Sequence, residues 1–185
     1  MSTCVNRFPV VYDFDDLKNQ IRELVKSGLE CNFFESYPKS DEIYQGDVIE
    51  LDASWPFIDE NGDIAILDEE SSSNLWVVLG NTCDITRCDL PYTNIIPLSV
   101  IEDDVDSGVL TDLKAFQNFK KIYFPDAISG SKGFMIDFTK ICTIDKNFLI
   151  KSSEKKSQLT HESWVLFHSC IVRYFARDDG RNDPD

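Results

Sequence analysis

The sequence predicts an α+β fold in which a small, strongly bent β-barrel carries an N-terminal helix and a packed C-terminal helix. Three observations predict it: short apolar runs separated by turn residues, an amphipathic segment near the start, and a longer, more apolar helical pattern near the end. Several short strands bounded by turns, with helical segments at both ends, are typical of a small barrel decorated by helices. A mixed α+β sheet is the alternative architecture.

The first predicted element is an amphipathic helix over about residues 13–28. Asp13 suits the N-cap, and Asp16 places a negative charge in the first turn, where the helix dipole favours it. Gly28 suits the C-terminal end of the helix. The apolar side chains at helical spacing are Phe14, Leu17, Ile21, Leu24 and Val25. We expect this stripe to pack on the core.

Three apolar runs predict the central strands of the barrel, over residues 46–51, 75–79 and 93–101. The second run is continuous, short and rich in β-branched side chains, which indicates a strand buried on both faces. Pro97 interrupts the third run. Because proline cannot donate a hydrogen bond to a β-ladder, Pro97 indicates an edge or a bulge.

The segment 52–74 is predicted to insert a hairpin between the first two central strands. Asn61-Gly62 stands between two apolar runs, which is a strong hairpin signal. Residues 69–74 are polar and serine-rich, which indicates a loop. Because acid-rich hairpins are usually exposed, this insert is a candidate partner-facing surface.

The second half of the chain is predicted to hold a helix over 109–121, short strands over 122–124, 134–138 and 141–144, and a turn at 145–147. A final helix over about 160–177 has a broad apolar and aromatic face, so we expect it to lie largely buried. We predict a single domain over residues 1–177, followed by a mobile acidic tail over residues 178–185.

The composition favours a cytoplasmic protein with a real core and without a metal or cofactor. Hydrophobic residues make up 42% of the 185 residues, but no apolar run approaches the roughly 18 needed to span a bilayer. The N-terminus lacks the apolar core of an export signal. Six cysteines without a Cys-x-x-Cys pair, beside two histidines, favour free thiols over disulfides or structural zinc.

The charge balance is strongly acidic. Lys and Arg number 18 and Asp and Glu number 33, which gives a net charge of −15. Phosphates of nucleic acids and anionic membranes repel such a chain, so we expect no direct binding to either. The acid is clustered at 13–16, 59–70, 102–106 and 178–185. These clusters have two interpretations: solvated faces that keep the protein soluble, or a surface that docks on a basic partner protein.

The end of the second central strand concentrates the reactive side chains, in the run Asn81-Thr82-Cys83-Asp84. Cys83 is a candidate nucleophile, with His168 or His161 as its base and Asp84 orienting the imidazole. In the alternative interpretation Cys83 is a small buried apolar residue, and Thr82 and Asp84 satisfy backbone donors where the strand turns. Similarly, a histidine on an apolar helical face such as His168 is often a core residue.

Charged residues near the barrel supply a second set of candidates. Asp47 either binds a divalent cation together with Asp84 or caps a turn after Gly46. Arg173 and Arg177 lie one turn apart on the last helix and either pair with buried Asp84 or Asp137 or, if exposed, clamp a phosphate. The candidate binding residues are thus Asp47, Asn81, Thr82, Arg173 and Arg177.

Several of these segments together resemble a group of bacterial proteins without an assigned activity. The segments are Gly46-Asp47-Val48, the strand from Val78 to Asp84, Tyr123-Phe124-Pro125, Ile136-Asp137-Phe138 and the arginine-bearing end of the last helix. The resemblance covers roughly residues 45–177.

Gly46-Asp47-Val48 and Trp76-Val77-Val78-Leu79 are also similar to the first two core strands of the PemK/MazF toxins. This resemblance implies an SH3-like barrel and an RNA endonuclease that places Arg and Thr or Ser beside the scissile phosphate. The toxins carry Arg-Pro just before the second strand, where this chain has Asn74-Leu75. Together with the net charge, that departure disfavours an active ribonuclease.

We therefore expect an acidic, non-enzymatic interaction or regulatory protein that docks on a partner protein, in a bacterial defence, anti-defence or toxin–antitoxin setting. One alternative is a hydrolase or nuclease that uses Cys83, Asp84 and His168. Another is a degenerate PemK/MazF-like barrel that binds RNA. Neither a P-loop nor a zinc-protease motif occurs, so nucleotide-dependent and zinc-dependent chemistry have no support.

Overall fold

A computed structural model describes residues 14–28, 32–67, 74–125 and 132–175 of the chain. Within these ranges the helices are α1 (Phe14–Lys26), α2 (Thr82–Ile85), α3 (Ser107–Lys114), α4 (Lys146–Ser152) and α5 (His161–Phe175). The strands are β1 (Val48–Glu50), β2 (Trp55–Ile58), β3 (Ile64–Leu67), β4 (Leu75–Val78), β5 (Tyr92–Val100), β6 (Lys121–Phe124), β7 (Phe134–Asp137), β8 (Cys142–Asp145) and β9 (Glu154–Ser157).

Seven of these strands form one antiparallel sheet, and β2 and β3 form a separate two-stranded sheet. The order in the large sheet is β6-β7-β5-β4-β1-β9, and β8 also pairs with β5. The long strand β5 is the spine of the sheet. It pairs with β4 along one edge, and along the other edge it pairs with β8 through its first half and with β7 through its second half.

A short 3-10 turn, Phe138–Lys140, separates β7 from β8 and curls the sheet. Leu98 pairs with Ile136, whereas Ile95 pairs with Cys142, so the turn inserts extra residues opposite the middle of β5. Extra residues on one strand of a pair bend that strand and increase its twist. The sheet is accordingly a strongly curled half-barrel, and the predicted α+β class with a bent antiparallel sheet is confirmed.

Both faces of the curled sheet are covered by helices. On one face α5 contributes Leu166, Phe167 and Cys170 to a core that includes Val77 and Ile96. The other face carries a smaller core that α2 and α4 cover; its members are Ile49, Leu51, Trp76, Val78, Ile85, Ile95 and Leu149. The continuous burial of β4 on both faces confirms what its unbroken apolar run predicts.

The inserted hairpin is confirmed, whereas two local expectations need correction and one strand was missed. The helix expected at 109–121 ends at Lys114, and Phe116 beyond it has a left-handed backbone with φ 54°. The turn expected at 145–147 is the start of α4, because the Asp145 carboxylate caps the helix at Phe148 N. Strand β9 was not predicted. Some of the predicted features lie outside the described residues, namely Asp13, Arg177, the loop residues 68–73 and the tail at 178–185.

Candidate functional site

The turn that precedes β1 positions the first group of candidate residues. Gly46 has φ 90°, and a Cβ there would lie 2.5 Å from the Leu159 side chain, so only glycine fits. The backbone of the turn is fixed on β4, because Gly46 N donates to Val78 O (2.7 Å) and Val78 N donates to Asp47 O (3.0 Å). Gln45 and Asp47 therefore occupy fixed positions on either side of this glycine.

Asp47 forms a buried ion pair with Lys155 of β9. Lys155 Nζ lies 2.7 Å from Asp47 Oδ2, and the two side chains are 8% and 1% exposed. Tyr44 N also donates to Asp47 Oδ2 (2.8 Å). Burial raises the pKa of the Asp47 carboxyl, and the contacts with Lys155 and Tyr44 N oppose that rise. The capping role expected for Asp47 fits these contacts.

The Lys155 ammonium has no hydrogen left to donate to a ligand. Besides Asp47, it donates to Ser40 O (3.0 Å) and Glu42 O (2.7 Å), and it lies 4.8 Å from the centre of the Tyr44 ring. Because an ammonium has three donors, these contacts saturate it. The pair holds the segment before β1 against the edge strand β9.

Gln45 joins the end of β4 to α5. Its backbone N donates to Thr82 Oγ1 (3.0 Å) and its side-chain Nε2 donates to Leu79 O (2.8 Å). Its Oε1 accepts from Trp164 Nε1 (3.2 Å) and lies 3.3 Å from His168 Nδ1. Since Oε1 only accepts, this contact requires the hydrogen of a neutral His168 ring to be on Nδ1, which leaves a lone pair on Nε2.

His168 is half-buried and stacked on Trp164. The two ring centres lie 5.3 Å apart with an angle of 25° between the ring planes, and the His161 ring also stacks on Trp164, with ring centres 6.1 Å apart. Burial lowers the pKa of His168 below its ordinary value of 6.5. The imidazole is therefore neutral at pH 7, with Nε2 in its basic form.

The reactive run at the end of β4 forms the short helix α2. Asn81 caps it, with its Oδ1 accepting from Cys83 N (3.3 Å). Cys83 is exposed, so the interpretation of this thiol as a buried apolar residue is wrong. Asp84 Oδ1 lies 3.9 Å from Arg87 Nη1. Within the described chain it makes no hydrogen bond with His168, and Gln45 is the residue that holds the imidazole.

The structure thus brings Thr82 and His168 together through Gln45, a residue that sequence reasoning missed. A single polar residue before a glycine turn carries no signal that it will contact a distant helix. Asp47 pairs with Lys155 rather than with Asp84. Among the described residues no group of three or more His, Cys, Asp or Glu is arranged to hold a metal ion.

Arg173 has a different role from the one expected. It is 6% exposed, as a buried pairing role requires. However, Nη1 donates to Phe116 O (2.7 Å) and Nη2 to Asn118 O (2.8 Å), rather than to a carboxylate. The carboxylate of Asp137 instead accepts from Thr139 N and Oγ1. Arg173 anchors the segment after α3, and its burial excludes a phosphate clamp.

The hairpin of β2 and β3 presents an apolar face to solvent. Ile64 and Ile66, two residues apart on β3, are 77% and 63% exposed, and Pro56, the ladder partner of Ile66, is exposed too. At the tip, Asp59 Oδ1 accepts from Asn61 N and Asp63 N (both 2.9 Å). These backbone hydrogen bonds lower the pKa of Asp59, so the exposed tip stays negatively charged.

Comparisons with known proteins gave no match: neither a protein-family profile nor a curated protein matches the chain. The described helices include none that combines the length and the apolar character needed to cross a membrane.

Proposed function

We propose that this protein is an acidic, non-enzymatic interaction protein that docks on a basic partner protein through the β2–β3 hairpin. The observation that carries the proposal is the pair Ile64 and Ile66, exposed side by side on a two-stranded sheet separate from the barrel. The bacterial defence, anti-defence or toxin–antitoxin setting expected from the sequence belongs to the same proposal.

Burial of these two side chains supplies the binding energy in this proposal. Fully burying an isoleucine contributes about 1.5–3 kcal/mol, so two adjacent exposed isoleucines form an anchor for a partner surface. In the described chain no further strand pairs with the outer edge of β2 or of β3. Open strand edges of this kind accept an added strand from another protein.

The charge of the hairpin tip favours a basic partner over a second copy of this chain. Asp59, Glu60 and Asp63 lie at or next to the turn, and the whole chain carries −15. Two such chains repel each other, whereas a basic surface is attracted and its association is accelerated. The apolar pair then supplies affinity and the acidic tip supplies steering.

An affinity pull-down from a lysate of the source organism tests this proposal with a pair of matched variants. The first combines Ile64→Glu and Ile66→Glu, and the control is Val109→Glu, which alters an exposed apolar residue on α3. We expect wild type and control to capture a stoichiometric basic protein that the hairpin variant does not. A chain that remains alone in every sample, or a partner that the hairpin variant retains, refutes the proposal.

A second candidate function is a hydrolase with Cys83 as nucleophile and His168 as base. The observation that favours it is the double contact of Gln45, with Thr82 beside Cys83 and with His168 Nδ1. In this proposal Gln45 replaces Asp84 as the residue that orients the imidazole. A neutral histidine whose Nε2 carries a lone pair suits a general base.

Cys88 is an internal control for this candidate, because it is an exposed thiol in the same turn region. If His168 activates Cys83, iodoacetamide at neutral pH modifies Cys83 at least tenfold faster than Cys88, and His168→Gln removes the difference. Peptide mass spectrometry measures both rates. Equal rates in wild type eliminate the hydrolase.

We also propose that the half-barrel is of the SH3/PemK type. The curl of the sheet around β5 and the short 3-10 turn between β7 and β8 support this assignment. It does not imply RNA cleavage, since the chain lacks the Arg-Pro of the toxins before its second core strand and carries a net charge of −15.

A further inference from the structure

A groove of about 680 Å³ lies between the segment before β1, the turn after α2, and α4. Its volume falls in the range of roughly 300–1,000 Å³ that is usual for ligand sites. The apolar part of its lining consists of Ile43, Ile85, Leu90, Pro91 and Ile150. The groove is therefore a concave, largely apolar surface whose lining includes no residue of the hairpin.

The elements that flank the groove expose further large apolar side chains. Ile150 is more than half exposed, and Phe148 on the same helix is also exposed. Tyr92, likewise exposed, pairs with Asp145, the residue that caps α4. Large apolar side chains are thus exposed on α4 and at the start of β5, two of the elements next to the groove.

The cations at the groove are engaged within the protein. Lys146 Nζ donates to Asp84 O (2.7 Å) and to Arg87 O. Arg87 forms a two-pronged ion pair with Asp89, with contacts of 3.1 and 2.7 Å. Lys155 is saturated by Asp47 and two carbonyls. Lys146 keeps one donor hydrogen but is only 6% exposed, whereas Arg87 and Lys155 are already paired with carboxylates. Among the described residues, the groove therefore presents no exposed cation without a carboxylate partner.

The acidic residues at the groove are in the opposite situation. Asp41 and Glu42 line it and are exposed, and neither forms an ion pair within the described ranges. The Glu42 carboxylate accepts a hydrogen bond from the Tyr44 hydroxyl, which leaves its charge uncompensated. The groove therefore combines an apolar floor with uncompensated negative charge at one end.

We propose that this groove binds a short segment of the basic partner in which an apolar side chain stands next to a lysine or arginine. The apolar side chain fills the floor around Ile85 and Ile150, and the cation pairs with Asp41 or Glu42. The proposal rests on the proposed function for the identity of the partner, and it adds a second contact surface with its own sequence preference.

Disulfide tethering tests the groove without the partner, because Cys88 lines the groove and the exposed Cys83 does not. The full-length chain is equilibrated with small thiols that share a phenyl body and end in an ammonium, a carboxylate or a methyl group. Peptide mass spectrometry then gives the occupancy of each cysteine. The thiol at Cys83 controls for attraction of the ammonium by the overall charge.

We expect the ammonium thiol to exceed the carboxylate thiol at Cys88 by about three- to fivefold relative to Cys83, the effect of one partly exposed ion pair. Charge reversal by Asp41→Lys with Glu42→Lys removes this preference, and the matched change Asp103→Lys with Asp104→Lys retains it. The proposal is overturned if the preference is the same at both thiols or survives reversal at 41 and 42.

The tethering result and the pull-down fail independently. Absence of a preference at Cys88 refutes the proposal that the groove binds a cationic apolar segment, and it leaves the hairpin proposal intact. Conversely, a chain that captures no partner but shows the preference loses the proposed function while its groove still selects cationic apolar groups.

Discussion

Asp47 and Lys155 form a buried ion pair that joins the turn before β1 to the edge strand β9. The Asp47 side chain is 1% exposed. Its partner Lys155 belongs to the polar edge strand β9, whose sequence is Glu-Lys-Lys-Ser. Burying two charges is costly unless they meet each other and their remaining hydrogen-bonding groups are satisfied. Here Tyr44 N and two backbone carbonyls complete that requirement.

Lys155→Met is expected to destabilise the protein by about 3–5 kcal/mol, because it leaves the buried Asp47 carboxylate without its cation. Lys156→Met is the matched control, since the neighbouring Lys156 pairs with Glu50 and Glu154 at the surface. We expect a small effect there. Urea unfolding followed by circular dichroism measures both. Similar losses for the two variants would contradict a special role for the buried pair.

Gln45→Ala is expected to destabilise the protein by about 1–3 kcal/mol. The substitution leaves Leu79 O, Trp164 Nε1 and His168 Nδ1 without the partner that joins them. Gln158→Ala is the control, because Gln158 Oε1 accepts one exposed hydrogen bond from Lys39 N. Chemical unfolding measures the free energy of unfolding of both variants. If Gln45→Ala loses no more of it than the control, the Gln45 contacts do not stabilise the fold.

His168 is expected to make stability fall as the solution is acidified. Its pKa is lowered in the folded protein by burial, so the unfolded chain binds the proton more readily. The stability that neutral His168 contributes is present above about pH 6.5 and is lost as the pH falls through the folded-state pKa.

The variant His168→Gln isolates this contribution, and the exposed His161→Gln is its control. Urea unfolding at about pH 7.5 and about pH 5.5 should show a smaller acid-induced loss of stability in His168→Gln than in wild type or His161→Gln. An unchanged loss would mean that His168 titrates alike in the folded and unfolded chains.

RNA is expected not to bind, even at about 50 mM salt, where electrostatic attraction to phosphates is strongest. The net charge of −15 opposes contact, and Arg173, a candidate phosphate ligand, is buried against backbone carbonyls. Filter binding with single-stranded RNA measures this directly, with a basic RNA-binding protein as the positive control. Retention of RNA that weakens as the salt concentration increases would instead support the hypothesis of an RNA-binding barrel.

Parts of the fold follow from local chemistry and were predictable. The run Leu75–Val78 is apolar throughout and ends in two β-branched valines, and such a run is typical of a strand buried on both faces. Asn61-Gly62 supplies the positive φ that a tight hairpin needs, here 85° at Gly62. In both cases a few neighbouring residues carry the whole signal.

The candidate site was predictable only in part. The run Asn81 to Asp84 was predicted as a candidate site because it follows a buried strand, and Cys83 is exposed there. The partner of His168 was not predictable, because Gln45 reaches it only when α5 packs across the end of β4. Which carboxylate pairs with which cation was likewise invisible, since distance along the chain carries no information about distance in space.

The sequence by itself determined the α+β class, the buried strand β4, the exposed acidic hairpin and the excess of negative charge. Each depends on composition or on the periodicity of neighbouring residues. Tertiary structure alone decided that Glu154–Ser157 forms β9, that Lys155 is buried on Asp47, and that Gln45 orients His168. A polar segment becomes a strand, and a charge becomes buried, only when distant parts of the chain supply the hydrogen bonds and the opposite charge that compensate for lost water.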